Sequence, residues 1–491
     1  MRSALLAGCA LLVVAACARR AEPLFPPKHL LLVTVEDLRA DRLSCYQNLV
    51  PTSRFDDTLE ERIEGRAFGF DELARGGVVF ARAYASSPSC RPSLAALHTG
   101  RSPIETGVLD DHDALPADCE TLASVLSARG FETAAFVSGP RAEFAPISRA
   151  GFETFRAPGD DEATLAAAEA FFSRDTGDGR STFVWIHLSA LALPWDDALV
   201  PADGRRFVDP AYTGGAVGSS AWLARLARGE VALEAADRDA FAARYDERLR
   251  ATLDRLRAFL GRTYDWTTSP VEASEVWART LFVFAGTNGF ELGEHGALGA
   301  ALSPHEEALR VPLLLRHPDS LTGERVVLEL VTLEDVAPTV LDALDVRAPE
   351  DVDGRTLLDL LDDHARAQFP RRPAVAVLPG PVYSVRAEGL RAVWNRWASP
   401  PADGARHVPG VFALYDLGAD PGELRDVFGV AAGTPERAHP APTAAELVQR
   451  APPSARTATE RALGALEAWR AARSVGSSSR ARDGAGRPLK P

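Results

Sequence analysis

The chain contains 491 residues, of which 46% are hydrophobic and 25% are charged, a balance typical of a globular protein with one large domain and a smaller one. Its formal net charge of −14 argues against nucleic acid as the main partner, because phosphate binding needs a basic surface. Almost every basic residue is an arginine, and Lys28 and Lys490 are the only lysines.

The N-terminal residues have the pattern of a bacterial export signal. Residues 5–16 form an apolar stretch that is too short to span a bilayer as a stable helix. Val14-Ala15-Ala16-Cys17 resembles the bacterial lipobox, in which the cysteine is acylated. The resemblance implies a signal peptide over 1–17, attachment to the membrane through the lipid on Cys17 alone, and a periplasmic location. Ala18 is not the aspartate of inner-membrane retention, which favours the outer membrane. The alternative is an ordinary cleaved signal peptide with an incidental cysteine.

Residues 28–365 alternate predicted strands and helices, which indicates an α/β domain with a doubly wound, mostly parallel sheet. His29–Val35 is a continuous apolar run that ends at Glu36 and Asp37, and it predicts a buried strand with carboxylates at its C-terminal edge. Ligands gather at that edge in open α/β sheets. Further strands are predicted at Phe131–Val137, Thr182–Leu188, Leu281–Ala285 and Val311–Leu315, and helices at Phe70–Ala74, Glu120–Arg129, Glu162–Phe172 and Ala240–Leu260.

Three other regions differ from this pattern in composition. Residues 196–233 are rich in Gly, Ala and Pro, which predicts a loop-rich excursion. Residues 366–430 predict a small C-terminal α+β subdomain, whereas 431–491 predict one helix near Thr457–Arg473 and a disordered tail. Short antiparallel strands of the subdomain are predicted at Tyr383–Arg386, Arg391–Trp394 and Phe412–Tyr415.

A cysteine-containing motif opens the most informative segment of the chain. Cys90-Arg91-Pro92-Ser93-Leu94 is followed, after four residues, by Thr99-Gly100-Arg101. The segment resembles the sulfatase signature, C-x-P-S-R and then T-G-R, in which the cysteine is oxidised to formylglycine, the catalytic nucleophile. Other segments resemble sulfatase motifs in type and in order: Thr34–Leu43, Trp185–Leu188, Arg244–Asp246, Leu292–Gly296, His305–Leu313, Asp335–Thr339, Gly354–Leu357 and Leu414–Leu417.

The resemblance covers about residues 29–430, and it implies the doubly wound fold of the alkaline phosphatase superfamily. It also implies sulfate-ester hydrolysis as the ancestral reaction and a sulfated small molecule or glycan as the partner. Cys90 would be the catalytic residue, converted to formylglycine, and Glu36, Asp37 and Asn288 would bind calcium.

Two histidines are the substrate-binding candidates that the resemblance leaves. His187 belongs to the W-x-H-L motif and His295 to L-G-E-H-G. For His187, a buried structural histidine on a strand is the simpler interpretation.

Several positions depart from the family pattern, and each departure removes a charged or polar group. Leu94 replaces an arginine, Ala192 a histidine and Ala300 a lysine, while Thr287 replaces an aspartate that binds the metal. The carboxylates at the presumed metal site fall from three to two, which predicts weaker calcium binding. In the family that arginine is also part of what the formylglycine-generating enzyme recognises, so Leu94 predicts poor or absent conversion of Cys90.

Three hypotheses follow from these residues. The first is a degenerate sulfatase with weak or lost activity, a pseudoenzyme that binds sulfated glycans. The second is an active sulfuric ester hydrolase that uses formylglycine derived from Cys90, a divalent metal, and arginines in place of the lysines. The third is a divergent phosphate- or phosphonate-ester hydrolase with zinc and a hydroxyl nucleophile, for which Ser89 and Ser93 are the nearest candidates.

Overall fold

The computed structural model describes residues 27–46, 50, 52–53, 69–139, 151–172, 174, 179–196, 206–264, 275–301, 303–378, 382–387, 389–395, 412–427, 448–449, 453 and 456–474. Cys17 and the predicted signal peptide lie outside these residues, and so does the end of the predicted tail, 475–491. Within the described ranges, no helix is both long and apolar enough to cross a membrane.

Fifteen strands and twelve α-helices are assigned in the described residues, besides four short 3₁₀ helices. The strands are β1 (His29–Val35), β2 (Val78–Tyr84), β3 (Glu132–Ser138), β4 (Thr154–Gly159), β5 (Thr182–Leu188), β6 (Thr280–Gly286), β7 (Glu291–Leu292), β8 (Leu298–Gly299), β9 (Arg310–Val311), β10 (Leu313–Arg316), β11 (Arg325–Thr332), β12 (Ala374–Leu378), β13 (Val382–Ala387), β14 (Leu390–Asn395) and β15 (Phe412–Asp416). The helices are α1 (Phe70–Arg75), α2 (Cys90–Thr99), α3 (Pro103–Thr106), α4 (Leu122–Ala128), α5 (Asp161–Phe172), α6 (Ser220–Ala227), α7 (Ala235–Tyr264), α8 (Glu275–Ala278), α9 (Glu306–Leu309), α10 (Val336–Ala343), α11 (Asp363–Gln368) and α12 (Arg456–Ser474).

The predicted mostly parallel sheet is confirmed, with β1 at its centre. The strand order is β11-β2-β10-β6-β1-β5-β3-β4, and β9 pairs with β2. Strand β1 runs parallel to both β5 and β6, and only the β9 and β10 pairings with their neighbours are antiparallel among the pairings of this sheet in the described residues. Leu30 and Leu32 of β1 point into one apolar core and Leu31 and Val33 into the other, so helices cover both faces.

The strand predicted at Val311–Leu315 is two short strands, β9 and β10, on either side of Pro312. Proline has no backbone N–H and cannot continue a ladder in the middle of a sheet. The sequence pattern also missed β2 and the two edge strands. β4 and β11 both contain several exposed positions, so neither reads as a continuous apolar run.

A separate four-stranded antiparallel sheet, in the order β12-β13-β14-β15, forms the small C-terminal unit. Three of its strands were predicted, and β12 is the additional one. Helix α12 lies close to the predicted position and packs on this sheet, with Leu463 and Leu466 among Val375, Val385 and Leu414. Where the structure describes the predicted loop-rich excursion, at residue 196 and residues 206–233, it contains one helix, α6.

Candidate active site

The predicted catalytic and metal-binding residues meet at the C-terminal edge of the central strands β6, β1 and β5. Thr34 pairs in register with His187 on one side and with Ala285 on the other. Backbone N–H groups of Glu36 and Thr287 extend the two ladders by one hydrogen bond each, of 2.9 and 3.0 Å. The residues that follow the three strands are therefore fixed as neighbours by the sheet itself.

Cys90 is the first residue of helix α2 and is 1% exposed. Its sulfur lies 4.0 Å from Nε2 of His187 and 3.7 Å from Oγ1 of Thr287. The N-terminus of a helix carries partial positive charge from its unpaired N–H groups. The candidate nucleophile thus lies beside an imidazole, at the positive end of a helix. We call Cys90, His187, Thr287 and Glu36 the nucleophile centre.

The two ring nitrogens of His187 have different neighbours: Nδ1 contacts Thr34, and Nε2 faces Cys90. Its Nδ1 lies 2.8 Å from Oγ1 of Thr34, and that oxygen accepts a 2.9 Å hydrogen bond from Nε1–H of Trp185. Its Nε2 lies 3.6 Å from Oε2 of Glu36 as well as near the Cys90 sulfur. The sequence had offered a buried structural histidine as the simpler interpretation. The histidine is indeed buried, and Thr34 and Trp185 are positioning residues that sequence reasoning missed.

The three predicted metal ligands are buried at the same edge. Asp37 has a positive φ of 59°, and its Oδ1 accepts a 2.6 Å hydrogen bond from the amide nitrogen of Asn288. The hydroxyl of Thr287 donates to Oδ1 of Asn288 at 2.8 Å. With Glu36, these residues provide two carboxylates and an amide, so the donor set fits a divalent cation. The amide oxygen is already engaged, so an ion would compete with the Thr287 hydroxyl for it.

A mixed donor set overlaps this one. Ligand atoms of Glu36, Cys90 and His187 all lie within 4.8 Å of one another. Oxygen, sulfur and nitrogen donors together suit a softer cation than calcium.

The substituted positions are filled by uncharged side chains. Leu94 is fully buried and belongs to the same apolar cluster as Cys90. Thr287 is also fully buried, whereas Ala192 and Ala300 are partly exposed. At the position where the family pattern has an arginine, the side chain of Leu94 is therefore part of the apolar core.

His295, the second substrate-binding candidate, belongs to a different group of side chains. Its Nε2 lies 2.7 Å from Oε1 of Glu307, and Glu291 provides a further carboxylate atom within 4.8 Å of both. Its ring stacks on His305, with centroids 3.7 Å apart and planes inclined by 10°. We call Glu291, His295 and Glu307 the seam cluster, because His305 connects it to the C-terminal sheet. Sequence reasoning gave neither glutamate a role, although Glu307 stands in a motif shared with the family.

The pKa values of all three side chains of the seam cluster are shifted. Burial and the nearby charge of Glu307 raise the pKa of Glu291 to about 8. Burial alone would raise the pKa of Glu307 too, but the hydrogen bond and charge of His295 outweigh it and lower that pKa. Burial alone would lower the pKa of the His295 imidazole, but the hydrogen bond to Glu307 outweighs burial and raises that pKa. The charge of each carboxylate therefore opposes ionisation of the other.

A buried ionic network adjoins the seam cluster. Arg391 of β14 is 1% exposed and donates to Oε1 of Glu423 at 2.5 Å and to Oε2 of Glu306 at 2.6 Å. The other oxygen of Glu423 lies 2.8 Å from Nδ1 of His305, and Tyr84 donates to Glu306 at 2.7 Å. The network joins the small antiparallel sheet to strand β2 and helix α9 of the large domain.

Comparisons with known proteins agree on the family. The Sulfatase family model matches residues 28–346. The steryl-sulfatase of Mus musculus is 25% identical over 526 aligned residues, which cover 84% of this chain and 80% of that protein. The N-acetylglucosamine-6-O-sulfatase of Bacteroides thetaiotaomicron is 25% identical over 168 residues, 31% of this chain and 27% of that protein. The Drosophila melanogaster extracellular sulfatase homologue is 39% identical over 88 residues, 18% of this chain and 8% of its own length. Against these last two relatives the chain spans about a quarter or less of their length.

Solved structures share the fold at low identity. A protein solved with its substrate D-glucosamine-2-N,6-O-disulfate has a TM-score of 0.57 and 18% identity, over 82% of this chain and 94% of that one. The phosphonate monoester hydrolase of Agrobacterium radiobacter has a TM-score of 0.55 and 19% identity, over 82% and 91%. The family generally uses a divalent metal and formylglycine, and this chain has groups able to hold such an ion. With a family model that matches most of its length and a fold shared with these enzymes, the chain belongs to the sulfatase family.

Proposed function

We propose that this chain is a sulfatase-family protein in which sulfate-ester hydrolysis is weak or lost, and which binds a sulfated small molecule or glycan. The observation that carries the proposal is the surroundings of Cys90. The cysteine is 1% exposed, its helix neighbour Leu94 packs into the apolar core, and the neutral Thr287, which follows β6, faces it.

Hydrolysis of a sulfate ester needs concentrated positive charge, because the substrate and its transition state are anionic. At Leu94, Ala192 and Ala300 the chain has lost an arginine, a histidine and a lysine of the family pattern. Loss of one such contact typically costs about 10²–10³ in rate. His187 remains as a base near the nucleophile position, and it cannot replace three cations.

The metal site supports the same proposal. Glu36, Asp37 and Asn288 would hold calcium, which when bound supplies positive charge next to the nucleophile. Two carboxylates bind calcium more weakly than the family's three. Asp37 and Asn288 also satisfy one another through a 2.6 Å hydrogen bond, which binding of an ion would have to displace.

A sulfated partner is supported by relatives rather than by contacts in this chain. One structural neighbour was solved with D-glucosamine-2-N,6-O-disulfate, and one relative is named an N-acetylglucosamine-6-O-sulfatase. The envelope location and the lipid anchor on Cys17 are part of the proposal and have the lipobox-like sequence as their support.

A turnover assay on the purified full-length protein tests the proposal. With calcium present, hydrolysis of an aryl sulfate and of a sulfated glucosamine should not exceed that of the Cys90→Ala variant, while binding of a sulfated oligosaccharide persists in both proteins. Cys90→Ala is matched by Cys119→Ala, because both cysteines are buried in the same core and Cys119 lies outside the nucleophile centre.

One observation favours the second candidate, an active sulfuric ester hydrolase. Cys90 keeps its place at the start of a helix, 4.0 Å from a positioned imidazole. If that enzyme is present, the wild type and Cys119→Ala turn over sulfate esters with calcium, and Cys90→Ala abolishes the activity. Such a result would exclude the pseudoenzyme.

A further inference from the structure

The seam cluster has the composition and spacing of a metal site that is separate from the nucleophile centre. Its three ligand atoms, one imidazole nitrogen and two carboxylate oxygens, all lie within 4.8 Å of one another. Glu291 is fully buried, and the side chains of His295 and Glu307 are 5% and 8% exposed. The two sites have no residue in common.

One oxygen of the cluster lacks a partner. Oε1 of Glu291 accepts a hydrogen bond from the hydroxyl of Ser303, whereas its Oε2 is buried and has no hydrogen-bond partner among the described residues. A buried carboxylate oxygen without a donor is costly, and a second carboxylate, Glu307, lies close by. A bound cation would satisfy the orphaned oxygen and remove the repulsion between the two carboxylates.

The backbone fixes the cluster before any ligand arrives. Glu291 and His295 lie on the hairpin formed by β7 and β8, whose turn has positive φ at Gly293 and Gly296. N–H of Phe290 donates to the carbonyl of Glu307 at 2.9 Å, which ties the hairpin to helix α9. Gly289 allows this approach, because a Cβ there would lie 1.9 Å from the Glu307 carbonyl oxygen. The donors are therefore preorganised on two connected segments, the hairpin and helix α9.

The donor types indicate which ion would fit. One histidine and two carboxylates combine a borderline nitrogen with hard oxygens, a set used by first-row divalent metals such as zinc and manganese. Calcium prefers oxygen ligands alone and more of them. The ring of His305 stacks on the imidazole of His295 and restricts its orientation. Nδ1 of His305 in turn lies 2.8 Å from Oε2 of Glu423.

We propose that Glu291, His295 and Glu307 bind a first-row divalent metal ion that connects the β7–β8 hairpin to helix α9. Through His305 and Glu423 the same ion would stabilise the contact between the large domain and the C-terminal sheet. This site is independent of the proposed function, since it neither contains Cys90 nor requires its conversion.

Zinc titration of the metal-stripped full-length protein tests the site. Cys90→Ser serves as the background, because it removes the thiol donor of the nucleophile centre. In that background zinc should bind and raise the melting temperature, and Glu291→Gln and His295→Gln should each weaken binding about tenfold or more. Glu294→Gln is the matched control, because it makes the same charge change in the same hairpin. The carboxylate of Glu294 accepts a hydrogen bond from Arg39 and is not part of the seam cluster. This variant should retain zinc binding within about twofold.

Cobalt(II) gives a readout that does not depend on the folding of the Glu291 and His295 variants. The Cys90→Ser protein should take up one cobalt ion with the visible ligand-field bands of nitrogen and oxygen coordination. If that protein shows no cobalt bands and binds no zinc, the proposal is overturned. It is overturned equally if folded Glu291→Gln and His295→Gln bind zinc as tightly as Glu294→Gln, because the ion would then be held elsewhere.

Discussion

The nucleophile centre and the seam cluster are both nearly closed to solvent, yet they differ in charge. Around Cys90, Leu94 and Thr287 replace charged residues of the family pattern. Around His295, two carboxylates are packed together, and His305 links them to the fully buried Arg391–Glu423 pair. On the proposed function, charge has been lost where sulfate chemistry would need it and kept where it joins two parts of the fold. The difference separates what this chain needs for folding from what its relatives need for turnover.

The largest expected effect comes from breaking the ionic network. Arg391→Met would take one partner from the buried Glu423 and one from the partly buried Glu306, which costs about 3–5 kcal/mol of unfolding free energy. Denaturant titration of the variant measures the loss. Arg347→Met is the control, because Arg347 pairs with Glu350 on the surface, with exposed fractions of 77% and 86%, and should change stability by less than about 0.5 kcal/mol. Equal effects at the two arginines would contradict the role given to the network.

A second expected effect concerns His98, on the same helix as Cys90. It is fully buried, neither ring nitrogen has a hydrogen-bond partner among the described residues, and burial lowers the pKa of the imidazole to about 3. The unfolded chain takes up a proton near pH 6.5 while the native chain resists it, so stability is present above that pH and is lost as the pH falls towards 3. The loss at pH 5 should be about 2 kcal/mol.

His98→Leu removes that titration and should flatten the stability profile between pH 7 and pH 5, as followed by denaturant titration at each pH. His112→Leu, at an exposed position, should leave the profile as in the wild type. A His98→Leu profile as steep as that of the wild type would mean that His98 is not the buried neutral group described here.

A smaller effect is expected at the metal edge. Thr287→Asp would restore a third carboxylate next to Glu36 and Asp37 and should tighten calcium binding about tenfold, or about 1.4 kcal/mol. Calorimetric titration compares it with Thr287→Asn, which adds a similar volume and an oxygen without charge. If both variants bind calcium like the wild type, the count of carboxylates is not what limits the site.

The sequence predicted the parts of the fold that have an unambiguous period or motif. His29–Val35 and Thr182–Leu188 are continuous apolar runs, and both strands have these bounds in the structure. The edge strands β4 and β11 were missed because their partly exposed positions interrupt the apolar pattern. Pro312 divides one predicted strand in two, since it cannot donate to the ladder.

The resemblance implied that Glu36 and Cys90 share one site, and the structure places ligand atoms of both residues and of His187 within 4.8 Å of one another. The resemblance could not show that His187 is oriented by Thr34 and Trp185, as those contacts join three separate strand positions. Nor could it reveal the seam cluster, whose glutamates come from a hairpin and a helix that only the folded chain places together.

The state of Cys90 tests the central claim most directly. The measurement is the mass of the peptide that contains Cys90, from full-length protein purified out of its native host. The account predicts an unmodified thiol, because Leu94 stands where the family has an arginine and lies fully buried beside the cysteine in the core. An aldehyde or its hydrate at that position would contradict the account and would favour an active sulfuric ester hydrolase.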